Sequence, residues 1–238
     1  MAPLCRFGLR NLTMKKFSLW FITNLLRVYF RFTLRLDAPD LKNIFPNKGP
    51  LIVITNHTGQ VEVPVLATLL QPRRITGWGK AEAFENLLLR WVFWAWDIIP
   101  VHRGEADITA LKSALRMLED ERIFGVAPEG TRNYTGILRR GLPGAAILAI
   151  KSGTPVLPLV HWGGEVYMKN LRQFKRTDFH IRMGGLFQVK VEGKVTGEIR
   201  QQIADEMMCR IAELMPEHYR GEYSDLTKYE MKYLVPME

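Results

Sequence analysis

From residue 50 onward the chain alternates short apolar runs with segments of helical period, and this alternation restricts the available folds more than any other feature. "PLIVI" precedes "VPVLATLL", "RITGWG" precedes "FENLLLRWVFWAW", "DIIPVH" precedes "ADITALKSALRMLEDE", "IFGVA" precedes "PGAAILAIKSG", and "PVLPLV" follows. Apolar runs without polar alternation suit strands buried on both faces; apolar positions at i, i+3 and i+4 suit helices laid over them. Strand and helix in succession predict an α/β fold, a mostly parallel sheet flanked by helices on both faces. "DFHIRMGGLFQV" reads as one or two further strands, and "TGEIRQQIADEMMCRIAELMP" as a closing helix with Thr196 near its start and Pro216 just past its end. At 238 residues and 47% apolar composition the chain suits one globular domain with a small appendage. Cys5 and Cys209 lie far apart, with no CxxC spacing and no histidine pair nearby, so neither a disulfide framework nor a metal site is expected.

The appendage is the N-terminal segment, residues 1–44. Of the net charge of +9, most sits here: residues 1–50 hold nine Lys/Arg against Asp37 and Asp40. Basic charge gathered in an apolar-rich segment points to an anionic lipid surface rather than to nucleic acid. "KKFSLWFITNLLRVYFRFTLRL" places Phe17, Trp20, Phe21, Leu25, Val28, Tyr29, Phe32 and Leu36 at helical spacings, with Arg27, Arg31 and Arg35 along one edge. The longest uncharged run, Phe17 to Leu26, falls well short of the roughly 20 residues that cross a bilayer. The expectation is an amphipathic helix lying in the interface, with residues 45–238 as the α/β domain and the protein peripheral on the cytoplasmic face of a membrane. Arginines after the apolar run, and no small-residue cleavage site, argue against a cleaved signal peptide. The competing reading is a helix docked on the domain with its arginines in water.

In a parallel sheet with helices on both faces, ligands bind beyond the carboxyl ends of the strands. Several strand ends carry polar residues of uncommon type: Asn56-His57 after the first, His102-Arg103 after the third, "PEGTRN" (Pro128 to Asn133) after the fourth, and His161 at the fifth. Gathered at one edge, they would supply a base, a carboxylate and at least two guanidinium groups to one cleft.

The same residues carry a resemblance. "NHTGQVE" resembles the His-x4-Asp block of the glycerolipid acyltransferase family, "IIPVHRG" its second block with Arg103, "APEGTRN" its F-P-E-G-T-R-S block, and "PVLPLV" its proline-bearing fourth block. Lys80 and Glu82, in "GKAEAF", resemble a family segment preceding the second block. The four blocks stand in family order across roughly residues 45–185. One position departs: residue 62 is Glu where the family usually has Asp, which puts the geometry of the dyad in question. Glu can still accept a hydrogen bond from one ring nitrogen and leave the other to take a proton, with one more rotatable bond to hold in place.

The resemblance implies acyl transfer from a thioester, on acyl-CoA or acyl-carrier protein, to the hydroxyl of a lysophospholipid such as 1-acylglycerol 3-phosphate. His57 would be the base and Glu62 its partner. Lys80, Arg103, Glu129, Gly130, Thr131 and Arg132 would make the substrate side, with Gly130, Thr131, Arg132 and Arg103 at the phosphate and Glu129 orienting Arg132 or backbone groups. No cofactor is implied beyond the thioester co-substrate, because that donor is already activated. No Ser or Cys stands in a nucleophile-elbow context, which favours direct attack by the acceptor. His161, His180 and His218 are assigned no chemistry; His102, beside Arg103, could touch substrate but reads first as a structural histidine, and Trp91, Trp94 and Trp96 could line an acyl channel but read mainly as helix packing. A non-catalytic lipid-binding relative stays open as the alternative, though lipid binding alone requires none of His57, Gly130 and Arg132.

Overall fold

The computed structural model describes residues 3–42, 48–59, 61–102 and 107–237. In chain order the elements are α1 (Pro3–Thr33), β1 (Leu34–Asp37), β2 (Leu51–Ile54), α2 (Glu62–Leu69), β3 (Ile75–Lys80), α3 (Leu87–Ala95), β4 (Ile99–Val101), α4 (Ile108–Glu119), β5 (Ile123–Val126), α5 (Gly144–Ser152), β6 (Val156–Trp162), α6 (Tyr167–Arg172), β7 (Thr177–Met183), β8 (Phe187–Val189), α7 (Gly197–Leu214) and β9 (Leu234–Pro236). The strands form one sheet in the order β1-β7-β6-β2-β5-β3-β4, with β8 and β9 continuing off β6. The β6-β2-β5-β3-β4 stretch is parallel throughout, and β7 and β8 run antiparallel to β6.

Each strand expected from the apolar runs is present, for the physical reason given above. β2 lies mid-sheet and all four of its residues are buried. Ile52 and Ile54 face a core shared with α4, α5 and α7; Leu51 and Val53 face one shared with α2. Each such side chain contributes about 1.5–3 kcal/mol on leaving water. Helix starts follow local chemistry: Asn86 caps α3, Asp107 caps α4 and Thr196 caps α7, each accepting from a backbone N–H three residues on. Gly153, at φ 61°, ends α5 in the left-handed conformation.

Three features depart from the sequence reading. The N-terminal helix, expected through Leu36, stops at Thr33, and Leu34–Asp37 joins the sheet beside β7 in parallel register. "LRLD" competes well as an edge strand: Leu34 is buried, Arg35 pairs with Asp178, and Asp37 takes bonds from His180 and Arg182. Residues 1–44 are thus not a separate appendage, since Leu34–Asp37 belongs to the sheet and Ile22 is buried against Ala67, Ala95 and Trp96. The short α6 and the C-terminal β9 were not foreseen, because "YMKNLR" and "LVP" are too short to show a period. Among the described residues no helix is long and apolar enough to cross a membrane.

Candidate active site

Strand β2 delivers its C-terminal residues into the centre of the parallel edge and holds them from several sides. The Thr55 N–H donates to the Val126 carbonyl at 3.1 Å, carrying the β2–β5 pairing one residue further. The Asn56 side chain then mimics a strand partner: its amide donates to the His161 carbonyl at 2.8 Å and its oxygen accepts from the His161 N–H at 3.0 Å. The wholly buried His161 ring returns the contact, Nε2 donating to the Asn56 carbonyl at 2.8 Å, and it stacks on Phe179. Burial holds His161 below the usual imidazole pKa, so it serves as a neutral clamp.

His57 follows immediately. Its Nδ1 lies 2.7 Å from Glu62 Oε1, an oxygen that also accepts from the Gly59 N–H at 3.2 Å. Glu62 is the first residue of α2 and fully buried. Burial pushes its pKa up, but the His57 hydrogen bond and the His161 and His57 rings outweigh this and hold it down to about 2. A carboxylate in that state only accepts, so Nδ1 carries the proton and Nε2 keeps its lone pair. Glu62 Oε2 is buried without a hydrogen-bond partner among the described residues. The longer Glu thus reaches the ring: starting the helix at residue 62 places the carboxylate beside the Gly59 N–H, which helps fix its extra torsion.

A second buried carboxylate fixes the histidine's main chain. Glu129 Oε1 accepts the His57 N–H at 2.9 Å, and Oε2 accepts the Arg139 N–H at 3.3 Å. On the other side the Asn133 N–H donates to the His57 carbonyl at 2.7 Å. Burial drives Glu129 up to about 7 against those two hydrogen bonds, with the Glu62 charge adding to the rise. Two carboxylates near one imidazole are therefore pushed in opposite directions.

The dyad borders a cleft of about 370 Å³. Its catalytic end is lined by Thr55, His57, Glu62, Pro128, Gly130 and the α5 start at Gly144 and Ala145; its apolar body by Leu66, Ala67, Ile75, Trp78, Trp96 and Ile98. Paired glycines on adjacent strands, Gly77 and Gly125, open the floor. A Cβ on Gly77 would sit 2.6 Å from the Gly125 carbonyl oxygen, so position 77 requires glycine. Ile22 of α1 packs on Ala67 and Trp96, which backs the apolar end with the N-terminal helix.

A half-buried histidine oriented by a buried acid at the mouth of an apolar slot suits general-base chemistry on a substrate with an apolar part. A family model described as Acyltransferase matches residues 40–162, more than half of the chain. The chain belongs to the acyltransferase family. Among the relatives of this acyltransferase, the chloroplastic 1-acyl-sn-glycerol-3-phosphate acyltransferase BAT2 of Brassica napus is 24% identical, covering 76% of this chain and 51% of its own. The 1-acyl-sn-glycerol-3-phosphate acyltransferase of Bacillus subtilis is 26% identical, covering 60% of this chain and 70% of its own. This acyltransferase thus spans about half the length of the Brassica relative. The crystal structure of the 1-acyl-sn-glycerophosphate (LPA) acyltransferase PlsC from Thermotoga maritima shares the fold, with a TM-score of 0.61 at 20% identity over 82% of this chain and 79% of that one.

The remaining sequence candidates of the acyltransferase fall into three groups. Gly130 lines the cleft at φ +69°, where a Cβ would also lie 2.6 Å from Leu142 Cδ1; Thr131 and Arg132 follow it on the exposed rim. Glu129 was expected on the substrate side, orienting Arg132 or backbone groups; it is buried and grips two backbone N–H groups, with its oxygens turned to the main chain instead of to Arg132 or the cleft. Lys80 ends β3 at the same edge, but its ammonium lies 3.4 Å from Glu82 in solvent and does not line the cleft. Arg103 lies outside the described residues, while the preceding His102, read from sequence first as structural and second as a substrate contact, is exposed and lines the cleft. Trp96 lines it too, whereas Trp91 and Trp94 turn toward α1. Sequence reasoning missed the part played by His161; its placement at the end of a proline-bearing strand was the only available signal.

Proposed function

We propose that the chain transfers a fatty acyl group from a thioester, on coenzyme A or acyl-carrier protein, to the free hydroxyl of a lysophospholipid, and that the acceptor is 1-acylglycerol 3-phosphate, giving phosphatidic acid. The observation that carries this reading is the 2.7 Å His57–Glu62 contact at the mouth of an apolar cleft. In the proposed reaction the His57 Nε2 takes the hydroxyl proton as the oxygen attacks the thioester carbonyl; the C–S bond then breaks and the thiolate leaves with that proton. Glu62 keeps the ring in the required tautomer and steadies the imidazolium that forms. The thioester supplies the activation, so the step requires no metal.

For the acceptor phosphate we assign the rim beyond the cleft, where the Arg132 guanidinium follows Gly130 and Thr131, with Lys80 at the end of β3 and Arg103 next in sequence after His102; the Gly130 N–H, expected from sequence at the phosphate, donates instead to the Ala127 carbonyl at 3.0 Å. The apolar slot suits an acyl tail. We also assign α1 to an anionic bilayer surface, as a monotopic contact on the cytoplasmic side: Met14, Phe17, Phe21, Leu25, Val28 and Phe32, spaced three or four apart, are all exposed, and α1 carries basic residues and no acidic one.

The test is turnover of lysophosphatidic acid with a thioester donor in the presence of liposomes. His57→Ala should lower kcat by about 10²–10⁴-fold, and an unchanged rate would remove the mechanism. In the same assay Arg132→Ala should cost more kcat/KM for the phosphate-bearing acceptor than for a neutral monoacylglycerol; equal losses would remove the headgroup assignment.

A further inference from the structure

The first turn of α3 is apolar and exposed over a broad arc. Leu87 is 70% exposed, Leu88 66% and Leu89 41%. Successive helix residues point about 100° apart, so Leu87 and Leu88 present a broad apolar arc to the outside, with Leu89 partly covered at its edge. Further along, Trp91 and Trp94 are partly exposed, at 38% and 39%, and of the whole helix Ala95 alone is buried. This helix was read from sequence as packing material, and core packing does not account for it.

Its neighbour is α1. The Trp91 indole N–H donates to Ser18 Oγ at 3.3 Å, and the Lys15 ammonium sits 5.6 Å from the Trp94 ring centre. Ser18 lies one residue from Phe17 and three from Phe21, so α3 adjoins the exposed aromatic stripe of α1. Trp96 and Ile98, directly after α3, line the cleft.

We propose that α3 is a second lipid-docking element, whose leucine turn enters the acyl layer of an anionic bilayer beside α1 and sets the cleft at the lipid surface. A rigid protein groove would cover one narrow face of a helix; a fluid apolar phase covers the broad arc that Leu87, Leu88 and Leu89 leave open. Charge agrees, because α3 carries Arg90 and no acid, and the adjoining α1 is purely basic. The position gives the contact a purpose: an acyl tail leaving the bilayer at α3 meets Trp96 and Ile98 without crossing water. This inference rests on the membrane-surface reading of α1 and assigns a separate element to it.

The experiment is sedimentation of the full chain with vesicles of mixed phosphatidylcholine and phosphatidylglycerol, using a Leu87→Ser/Leu88→Ser/Leu89→Ser variant and, separately, a Phe17→Ser/Phe21→Ser/Phe32→Ser variant. The leucine variant should lose about 10²-fold in vesicle partitioning, keep the parent's thermal midpoint, and keep turnover of a short-chain, monomeric acceptor. Parent-like partitioning by the leucine variant, with loss in the phenylalanine variant, would overturn the role of α3 and leave that of α1. Parent-like partitioning by both would overturn the membrane reading as a whole. A leucine variant that instead loses only self-association on gel filtration would assign the turn to a second copy of this chain and overturn the lipid proposal. Leu88→Cys carrying an environment-sensitive fluorophore, in a Cys5→Ser background, gives an independent readout: its emission should shift blue on vesicles, and no shift counts against insertion.

Discussion

At residue 62 one methylene separates this chain from the usual Asp of its family pattern, and the structure shows what that methylene reaches. The carboxylate is held by the His57 ring and the Gly59 N–H, both within five residues in sequence. Glu62→Asp should therefore pull the acid off the ring and lower kcat by about 10²-fold, while Glu62→Gln loses the charge without the reach; steady-state kinetics on both variants separates the two effects. Glu129 gives a pH prediction of defined sign. Burial raises its folded pKa to about 7 from an ordinary 4.5, so between those pH values the unfolded chain gives up the proton first and stability falls as pH rises. Over the same window Glu62, held down at about 2, contributes a constant amount. Denaturation midpoints measured from pH 5 to 7.5 should thus decline less in Glu129→Gln than in the parent, and parallel curves would refute the assignment. The dyad was legible because its partners are local in sequence. The Asn56–His161 clasp spans 105 residues, and the Glu129 bonds run to main-chain atoms, which no pattern of side-chain types reveals.

Among the elements, the strands and the six helices read from periodicity were legible because burial on one or both faces leaves a repeat in the sequence. Leu34–Asp37 shows the limit: four residues continue an amphipathic pattern equally well as helix or as edge strand, and pairing with β7 decides. The cleft floor was also hidden, since Gly77 and Gly125 become neighbours only through the β3–β5 register. That register yields a prediction for β5. A Cβ on Gly125 would meet the Thr76 carbonyl oxygen at 3.6 Å and Ile75 Cδ1 at 3.7 Å, ordinary contacts, so the site admits a side chain that borders the slot. Gly125→Val should leave the fold intact and shift donor preference toward shorter acyl chains by about 10-fold or more in relative kcat/KM, as read by competition between long and short thioesters.

The molecule as a whole does not divide where its composition changes. Charge and aromatic content drop near residue 44, yet Ile22 and Leu34 are buried and Lys15 of α1, with Arg74 and Arg122, converges on Asp97. Deleting residues 1–36 should consequently strip β1 from the sheet, bare the β7 edge and lower the thermal midpoint by several degrees or cause aggregation; a truncated chain as stable as the parent would show the joint to be dispensable. The parallel core was readable at this scale and the joint was not, because a boundary in composition need not be a boundary in packing. From Thr33 to Leu34 the chain passes from the exposed aromatic helix to the sheet without an intervening loop. A protein held to a surface by that helix has no swivel: it would meet its substrates in one fixed attitude, and any difference in reach between one acceptor and the next would have to be absorbed by the lipid.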